Sequence, residues 1–301
     1  MKEILSFPKL GLAFNLSRVA FSIGSFNIYW YGVIIAVGFI LGFFYVSCVS
    51  KKFGLETSDI IDVIAYSFFG GIIGARAYYI IFNFDLYKKN ILDVFKIWEG
   101  GIAIYGGIIG SFLVGIIFLK KRKIKILPVT DAIVGGLILG QAIGRWGNFV
   151  NIEAFGSNTD NIFGMTSVSI QSYLLKIAPK LLKQNIVIDP TGNVHPCFFY
   201  ESVWCLLGFI IIALITFNSD YNNLKKSKKI NLCPGILTLI YFIWYSCARF
   251  VIEGLRVDSL MLGNIRISQL LSLVILVACL ILLVLIYIKK YLYKNNLEEG
   301  K

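Results

Sequence analysis

The stretch VTDAIVGGLILGQAIGRWG (129–147) decides the fold. Between Asp131 and Arg145 it carries no charge. Its length is that of a helix crossing a bilayer core, which takes roughly 20 apolar residues. Six further runs of the same kind lie at 28–48, 60–82, 102–119, 198–217, 234–252 and 268–288. Seven such runs predict an all-α polytopic membrane protein of about seven transmembrane helices.

Composition agrees with this. Hydrophobic residues make up 57% of the 301 positions and charged residues only 15%, and the mean hydropathy is +0.76. Soluble domains carry about 45–50% apolar and about 25% charged residues. The net charge of +12 does not argue for nucleic acid. Its lysines cluster beside the spans, at Lys51 and Lys52, 120–125, 225–229, and Lys289 and Lys290, as the positive-inside rule requires. None of the six cysteines forms a CxxC pair, and most lie in or beside apolar runs, so they read as small buried residues. His195 is the only histidine, which excludes zinc sites built on several histidines. The first 27 residues mix charged and apolar types and show no continuous apolar core of a cleavable leader.

Those clusters follow runs one, three, five and seven. With them inside, the N-terminus is expected outside and the C-terminus in the cytoplasm. The whole chain, 1–301, then reads as one integral membrane domain with an extracytoplasmic insertion at 148–197. Within the insertion, Leu174, Leu175, Ile177, Leu181 and Leu182 alternate with Lys176, Lys180 and Lys183. This is either an amphipathic helix on the membrane surface or a loop helix packed on the bundle.

A charge near the bilayer centre costs about 2.5–3.5 kcal/mol on insertion scales, so it needs a partner or a function. Arg76, Asp131, Arg145 and Arg249 occupy such positions. Arg76 reads as one half of an ion pair or as a site residue, and Asp131 as a helix cap. Arg249, Glu253 and Arg256 share a helical face, either as a self-satisfying ladder or as guanidiniums aimed at an anion. The segment GRWGNFVNIEAFG (144–156) is denser still: Arg145, Asn148, Asn151 and Glu153 are interleaved with aromatics and with three glycines. Arginine's planar fork suits phosphate oxygens, and the abundant phosphate of a membrane is the lipid headgroup.

Segment 144–156 resembles the signature of the prolipoprotein diacylglyceryl transferase family. YWYGVIIAVGF (29–39), WEGGIAIYGGIIG (98–110), HPCFFYES (195–202) and ARFVIEGLRVD (248–258) resemble its other blocks, in order. The resemblance implies transfer of a diacylglyceryl group from phosphatidylglycerol to the lipobox cysteine of a prolipoprotein signal peptide, with formation of a thioether and release of glycerol phosphate. It implies no metal and no organic cofactor. It makes Arg145 the phosphatidylglycerol-binding arginine, with Tyr31, Asn151, Gly156, Glu253 and Arg256 as further substrate-binding positions. Asn148, Glu153, Arg249 and Tyr105 fall at catalytic positions.

The implied chemistry suits these residues. Charge builds on a leaving phosphate, which oriented arginines stabilise, and the cysteine reacts as its thiolate. One position departs from the family, because Tyr105-Gly106-Gly107 stands where an HGG block is expected. A phenol with an ordinary pKa of about 10 is a poor base at neutral pH. Either arginines depress it, or another group such as Glu153 or a phosphate oxygen takes the proton, or the position only orients lipid. The competing readings are a membrane transporter and a non-catalytic lipid-binding protein. Against transport, the charges gather toward one face instead of forming a file, and no inverted repeat is visible.

Overall fold

The computed structural model describes residues 2–24, 26–88, 90–96, 100–182, 187–220, 230–257, 261–262 and 265–299. Trp98, Glu99, Lys183, the lysines of 225–229 and Asp258 lie outside the described residues. Among the described residues, seven helices are long and apolar enough to cross a membrane: α1 (Trp30–Val49), α2 (Thr57–Phe82), α3 (Ile104–Lys121), α4 (Ile126–Asn151), α6 (Cys197–Asn218), α7 (Ile236–Leu255) and α8 (Ile267–Glu299). Each coincides with one of the expected runs to within a few residues, except that α8 continues to Glu299, well past the expected end at 288. Large apolar side chains such as Phe44, Phe69, Ile73 and Leu285 point outward along them. That surface would be intolerable in water and is natural in lipid.

Two departures from the sequence reading concern α4. It starts three residues before the expected run and continues to Asn151, so Arg145 and Asn148 lie on unbroken helix. Gly144 and Gly147 do not end it. They leave room for α1, since a Cβ at Gly147 would sit 2.7 Å from the Tyr31 ring. Asp131 therefore falls in the second turn of α4 and caps a different helix, its Oδ2 accepting from the Gly235 N–H at 2.6 Å just before α7. Gly235 itself has φ +94°.

The chain gathers into two compact units, one of Met1–Tyr45, Val134–Ser219 and Ile236–Lys301, the other of Val46–Ile133 and Asp220–Gly235. In the second unit α2 and α3 touch backbone to backbone. A Cβ at Gly74 would lie 2.4 Å from the Gly106 carbonyl oxygen. Arg76, buried on α2, donates to four carbonyl oxygens: Asp93 at 2.6 Å, Val94 at 2.7 Å, Gly100 at 2.8 Å and Gly101 at 2.9 Å. Neither sequence reading of Arg76 included this. It pins the segment that leads into α3, spreading its charge over carbonyl dipoles.

In the first unit, α6 and α7 are joined by stacked Trp204 and Trp244, centroids 4.5 Å apart, each indole N–H donating to the other's carbonyl. Gln141 on α4 donates to the Tyr241 hydroxyl on α7 at 2.9 Å. Ser202 on α6 donates to the Ala142 carbonyl on α4 at 2.7 Å. Ahead of α1 the structure holds two antiparallel hairpins that the sequence reading did not place. They are β1 (Lys2–Phe7) with β2 (Leu12–Ser17) and β3 (Val19–Ile23) with β4 (Phe26–Tyr29). Leu5 and Phe7, alternating on one face of β1, enter a core with Ile152, Phe155, Met165, Val194 and Phe198.

The helix α5 (Val168–Leu182) closes that core. Ile170 and Leu174 are buried in it, and Lys176 and Lys180 point outward. One face of this segment is packed as the second expectation has it, while Leu175 and Leu182 remain exposed. Its N-terminus is capped from the hairpin. The Glu3 carboxylate accepts from the Ser169 N–H at 2.7 Å and from the Ser169 hydroxyl. Partial burial would raise the Glu3 pKa, but the Ser169 and Ser167 hydrogen bonds outweigh it and hold the pKa below its ordinary value of 4.5.

Replacing Glu3 with Gln is expected to cost about 1 kcal/mol of docking between hairpin and α5, the usual worth of a cap. Because folding lowers this pKa, the contribution is full above the unfolded value and disappears as pH falls through the folded one. Protection of the amides in the first turn of α5, measured against their intrinsic exchange rate at each pH, should fall in the native protein as acidification protonates Glu3. The Gln variant should lack this acid-dependent step.

Candidate active site

Arg145 of α4, Glu201 of α6, and Arg249 and Glu253 of α7 meet at one place in the first unit. Arg145 on α4 reaches the Glu201 carboxylate on α6 at 2.5 Å. Arg249 on α7 approaches the other oxygen of Glu201 at 3.6 Å and holds Glu253, one turn along its own helix, at 2.5 Å. The Tyr245 hydroxyl donates to Glu201 at 3.3 Å and lies 3.5 Å from the Arg145 guanidinium. Both carboxylate side chains are only 3% exposed, whereas the Arg145 and Arg249 side chains are 23% and 21% exposed. The acids are thus enclosed while the guanidiniums keep an open side.

One turn on from Arg145, a second polar group forms around Glu153. Its Oε1 accepts from Asn148 Nδ2 at 2.9 Å and Asn151 Nδ2 at 3.2 Å. Glu153 is flanked by Ile152 at φ +55° and Ala154 at φ +57°. Left-handed backbone at a β-branched residue is strained, of order 1–3 kcal/mol. The burial of Ile152 and Phe155 in the core beneath holds the strained turn. Glu153 is thereby fixed outward, in a cavity of about 220 Å³ shared with Arg18, Ser169 and Tyr173. Arg18, from the hairpin region, also donates to the Asn151 carbonyl at 3.2 Å.

Gly156 lies where three segments cross. Its N–H donates to the His195 carbonyl at 2.9 Å, and the next residue, Ser157, donates to Leu255 at the end of α7 at 2.7 Å. A Cβ here would meet His195 Cβ at 2.8 Å, the Leu255 oxygen at 2.9 Å and Cys197 Sγ at 3.0 Å. Gly156 therefore sets how closely the end of α4, the start of α6 and the end of α7 approach. Those are the three helices that carry the ion cluster. Arg256 follows the last residue of α7, and its backbone pairs with Gly156.

His195 takes part mainly through its backbone. Its ring Nδ1 is 3.3 Å from the Tyr200 hydroxyl, and burial pushes its pKa down, which favours the neutral form. Tyr31 lies along Gly147 on α4. A cavity of about 310 Å³ opens between α1, α4 and α6. Trp30, Val37, Ala142, Trp146, Ser202 and Leu206 are among its walls, so it is almost wholly apolar.

The sequence positions thus fall into groups. Arg145, Arg249 and Glu253 share one ion cluster, Asn148, Asn151 and Glu153 share a second group, and Gly156 and Arg256 share a backbone crossing. Tyr105 belongs to the other compact unit, as the second residue of α3, and is 64% exposed. Sequence reasoning missed Glu201. The signal was present, because an acid in the first turns of an apolar run is as costly as the four charges that were singled out. Among the described residues, no group of three or more His, Cys, Asp and Glu is placed to hold a metal ion.

With this geometry in hand, comparison with known proteins is direct. The family model described as prolipoprotein diacylglyceryl transferase matches residues 18–285. The chain belongs to this family. Phosphatidylglycerol–prolipoprotein diacylglyceryl transferases of Staphylococcus aureus strains Newman and USA300 are each 39% identical to it over 288 residues, covering 95% of this chain and 92% of theirs. The strain bovine RF122 protein matches at the same identity and coverage. The chain is accordingly a membrane-bound transferase, and every block of the sequence resemblance lies within the matched region.

Changing Gly156 to Val should force the three helix ends apart at a cost of about 1–3 kcal/mol. Thermal unfolding in detergent should show a lowered midpoint, and transferase activity per folded molecule should fall as well. A variant with native activity would show that the crossing does not set the spacing of the ion cluster.

Proposed function

We propose that this chain transfers the diacylglyceryl group of phosphatidylglycerol to the lipobox cysteine of bacterial prolipoproteins. A thioether forms and glycerol phosphate leaves, which is the first step of lipoprotein maturation. The observation that carries the reading is the convergence of Arg145 and Arg249, from separate helices, on the single carboxylate of Glu201 with their outer sides open. Two guanidiniums so held present donors to one phosphate, where charge develops as the carbon–oxygen bond breaks.

The apolar cavity between α1, α4 and α6 supplies room for acyl chains, and Trp146 and Ser202 on its wall are the sequence neighbours of Arg145 and Glu201. In this reading Tyr31, Asn151, Gly156, Glu253 and Arg256 bind or shape the lipid site, and Asn148 and Glu153 lie close to the reacting centre. The whole of 1–301 acts as one catalytic domain in the bacterial cytoplasmic membrane. Its N-terminus is outside, its C-terminus is in the cytoplasm, and 148–197 is extracytoplasmic. The active site opens toward that outer face, where lysine-poor loops support the assignment. No metal and no organic cofactor is needed for a displacement at a glyceryl carbon.

The test uses the purified full chain, phosphatidylglycerol and a lipobox peptide, with mass analysis of the peptide. Arg145→Ala is expected to lower thioether formation by about 100-fold or more while the protein still folds and enters the membrane. Normal modification by that variant would sink the reading.

Tyr105→Phe separates the roles open to the phenol. Its hydroxyl is not the base in this reading, so transfer should fall by less than about tenfold. A loss of about 100-fold or more, the usual worth of a general base, would make the hydroxyl the proton acceptor.

A further inference from the structure

The identity of the group that takes the thiol proton is not given by family membership, and a phenol is in general a poor base at neutral pH. The structure holds a better one. Glu201 is enclosed by protein and touches both arginines, yet it would not itself bind a phosphate. Like charges repel, so its place at the centre of an anion site calls for an explanation.

Charge balance supplies one. As the structure stands, two guanidiniums and two carboxylates cancel within the cluster. A phosphodiester entering the site adds one negative charge. When the glyceryl carbon–oxygen bond breaks, the leaving phosphate monoester gains another, and the attacking thiol gives up a proton. If the proton leaves for bulk water, a largely enclosed site must hold the extra negative charge. If a carboxylate of the cluster takes it, the local charge is the same before and after the step. Low-dielectric surroundings make that difference large.

Glu201 suits this role better than Glu253. Glu253 keeps Arg249 at 2.5 Å through a contact on its own helix. Glu201 depends on Arg145, the arginine assigned to the lipid phosphate, and on a longer contact to Arg249. A phosphate that draws these guanidiniums outward removes the cations from Glu201. A buried carboxylate that loses its cations favours its protonated form. Lipid binding would therefore create the proton acceptor, and a cysteine would be activated only when a lipid is in place. Ser202, the next residue along α6, and Trp146, the next residue after Arg145 on α4, border the 310 Å³ cavity.

We propose that Glu201 is the proton acceptor of the transferase, armed when the lipid phosphate takes over Arg145 and Arg249. The proton of the cysteine S–H passes to the Glu201 carboxylate. The sulfur electron pair forms the bond to the glyceryl carbon, and the carbon–oxygen pair leaves with the phosphate. This rests on the phosphatidylglycerol reading above and deepens it.

The test compares two acceptor peptides that differ only in carrying cysteine or selenocysteine at the lipobox position. A selenol is ionised at neutral pH and needs no base. With phosphatidylglycerol vesicles and the purified full chain, Glu201→Gln is expected to lose about 100-fold or more on the cysteine peptide. On the selenocysteine peptide it should come within about tenfold of the unchanged protein, since the base is then superfluous.

Equal losses on both peptides would overturn the proposal and leave Glu201 as a positioning residue for the arginines. So would a Gln variant that modifies the cysteine peptide normally. Where the Gln variant fails to fold, Glu201→Asp decides, because a retracted carboxylate should still slow the cysteine peptide more than the selenocysteine one. Equal slowing overturns the proposal there too. Failure of the phosphatidylglycerol reading looks different, because the unchanged protein would then modify neither peptide.

Discussion

Four charges placed on three apolar helices cannot remain unpaired in a membrane, and the rest of the first unit is arranged around that constraint. Arg145, Glu201, Arg249 and Glu253 satisfy one another only if α4, α6 and α7 meet at a fixed depth and rotation. Breaking one member of such a group leaves a buried charge without its partner, which costs several kcal/mol. The cluster is therefore both a staple between helices and a preorganised receptor. Its acids are enclosed and its cations are open on one side, the arrangement that lets an incoming anion compete for guanidiniums without dismantling the helices.

Features around the cluster hold that depth and rotation. Gly156 lets the helix ends cross at backbone distance, and the paired indoles of Trp204 and Trp244 lock α6 to α7. The aromatic contact of Phe149 with Phe198, centroids 5.3 Å apart, ties the end of α4 to the start of α6. The β1–β2 hairpin and α5 cover these helix ends, with the Glu3 carboxylate linking the two. The strained backbone at Ile152 and Ala154 aims Glu153 outward. Arg76 shows the alternative use of a membrane arginine, because its hydrogen bonds run to backbone carbonyls and shape a segment.

The seven spans were legible because a bilayer imposes one length and one polarity on every crossing segment, and apart from the C-terminal end of α8 the observed helices start and end within a few residues of the apolar runs. Arg145, Arg249 and Glu253 were legible for the same reason, since a charge in such a run is conspicuous. The hairpins before α1 were not. Among them only β1 buries alternate residues, and the other strands are mostly exposed, so the pattern of period two barely shows. Asp131 read as a cap for its own helix. Only the folded chain puts it under Gly235, because capping depends on which amides lie nearby in space.

By itself, then, the sequence determined a seven-span membrane protein, the family to which it belongs and the positions of its costly charges. These follow from composition, run length and motif order, which are properties along the chain. Only the tertiary structure decided which charges pair. It showed that two arginines separated by about a hundred positions share Glu201, that Asn148 and Asn151 turn to Glu153, and that Gly156 is required by space and not by dihedral freedom. Pairing depends on helix rotation and on the close approach of distant segments, and neither is written in the local pattern of any one of them.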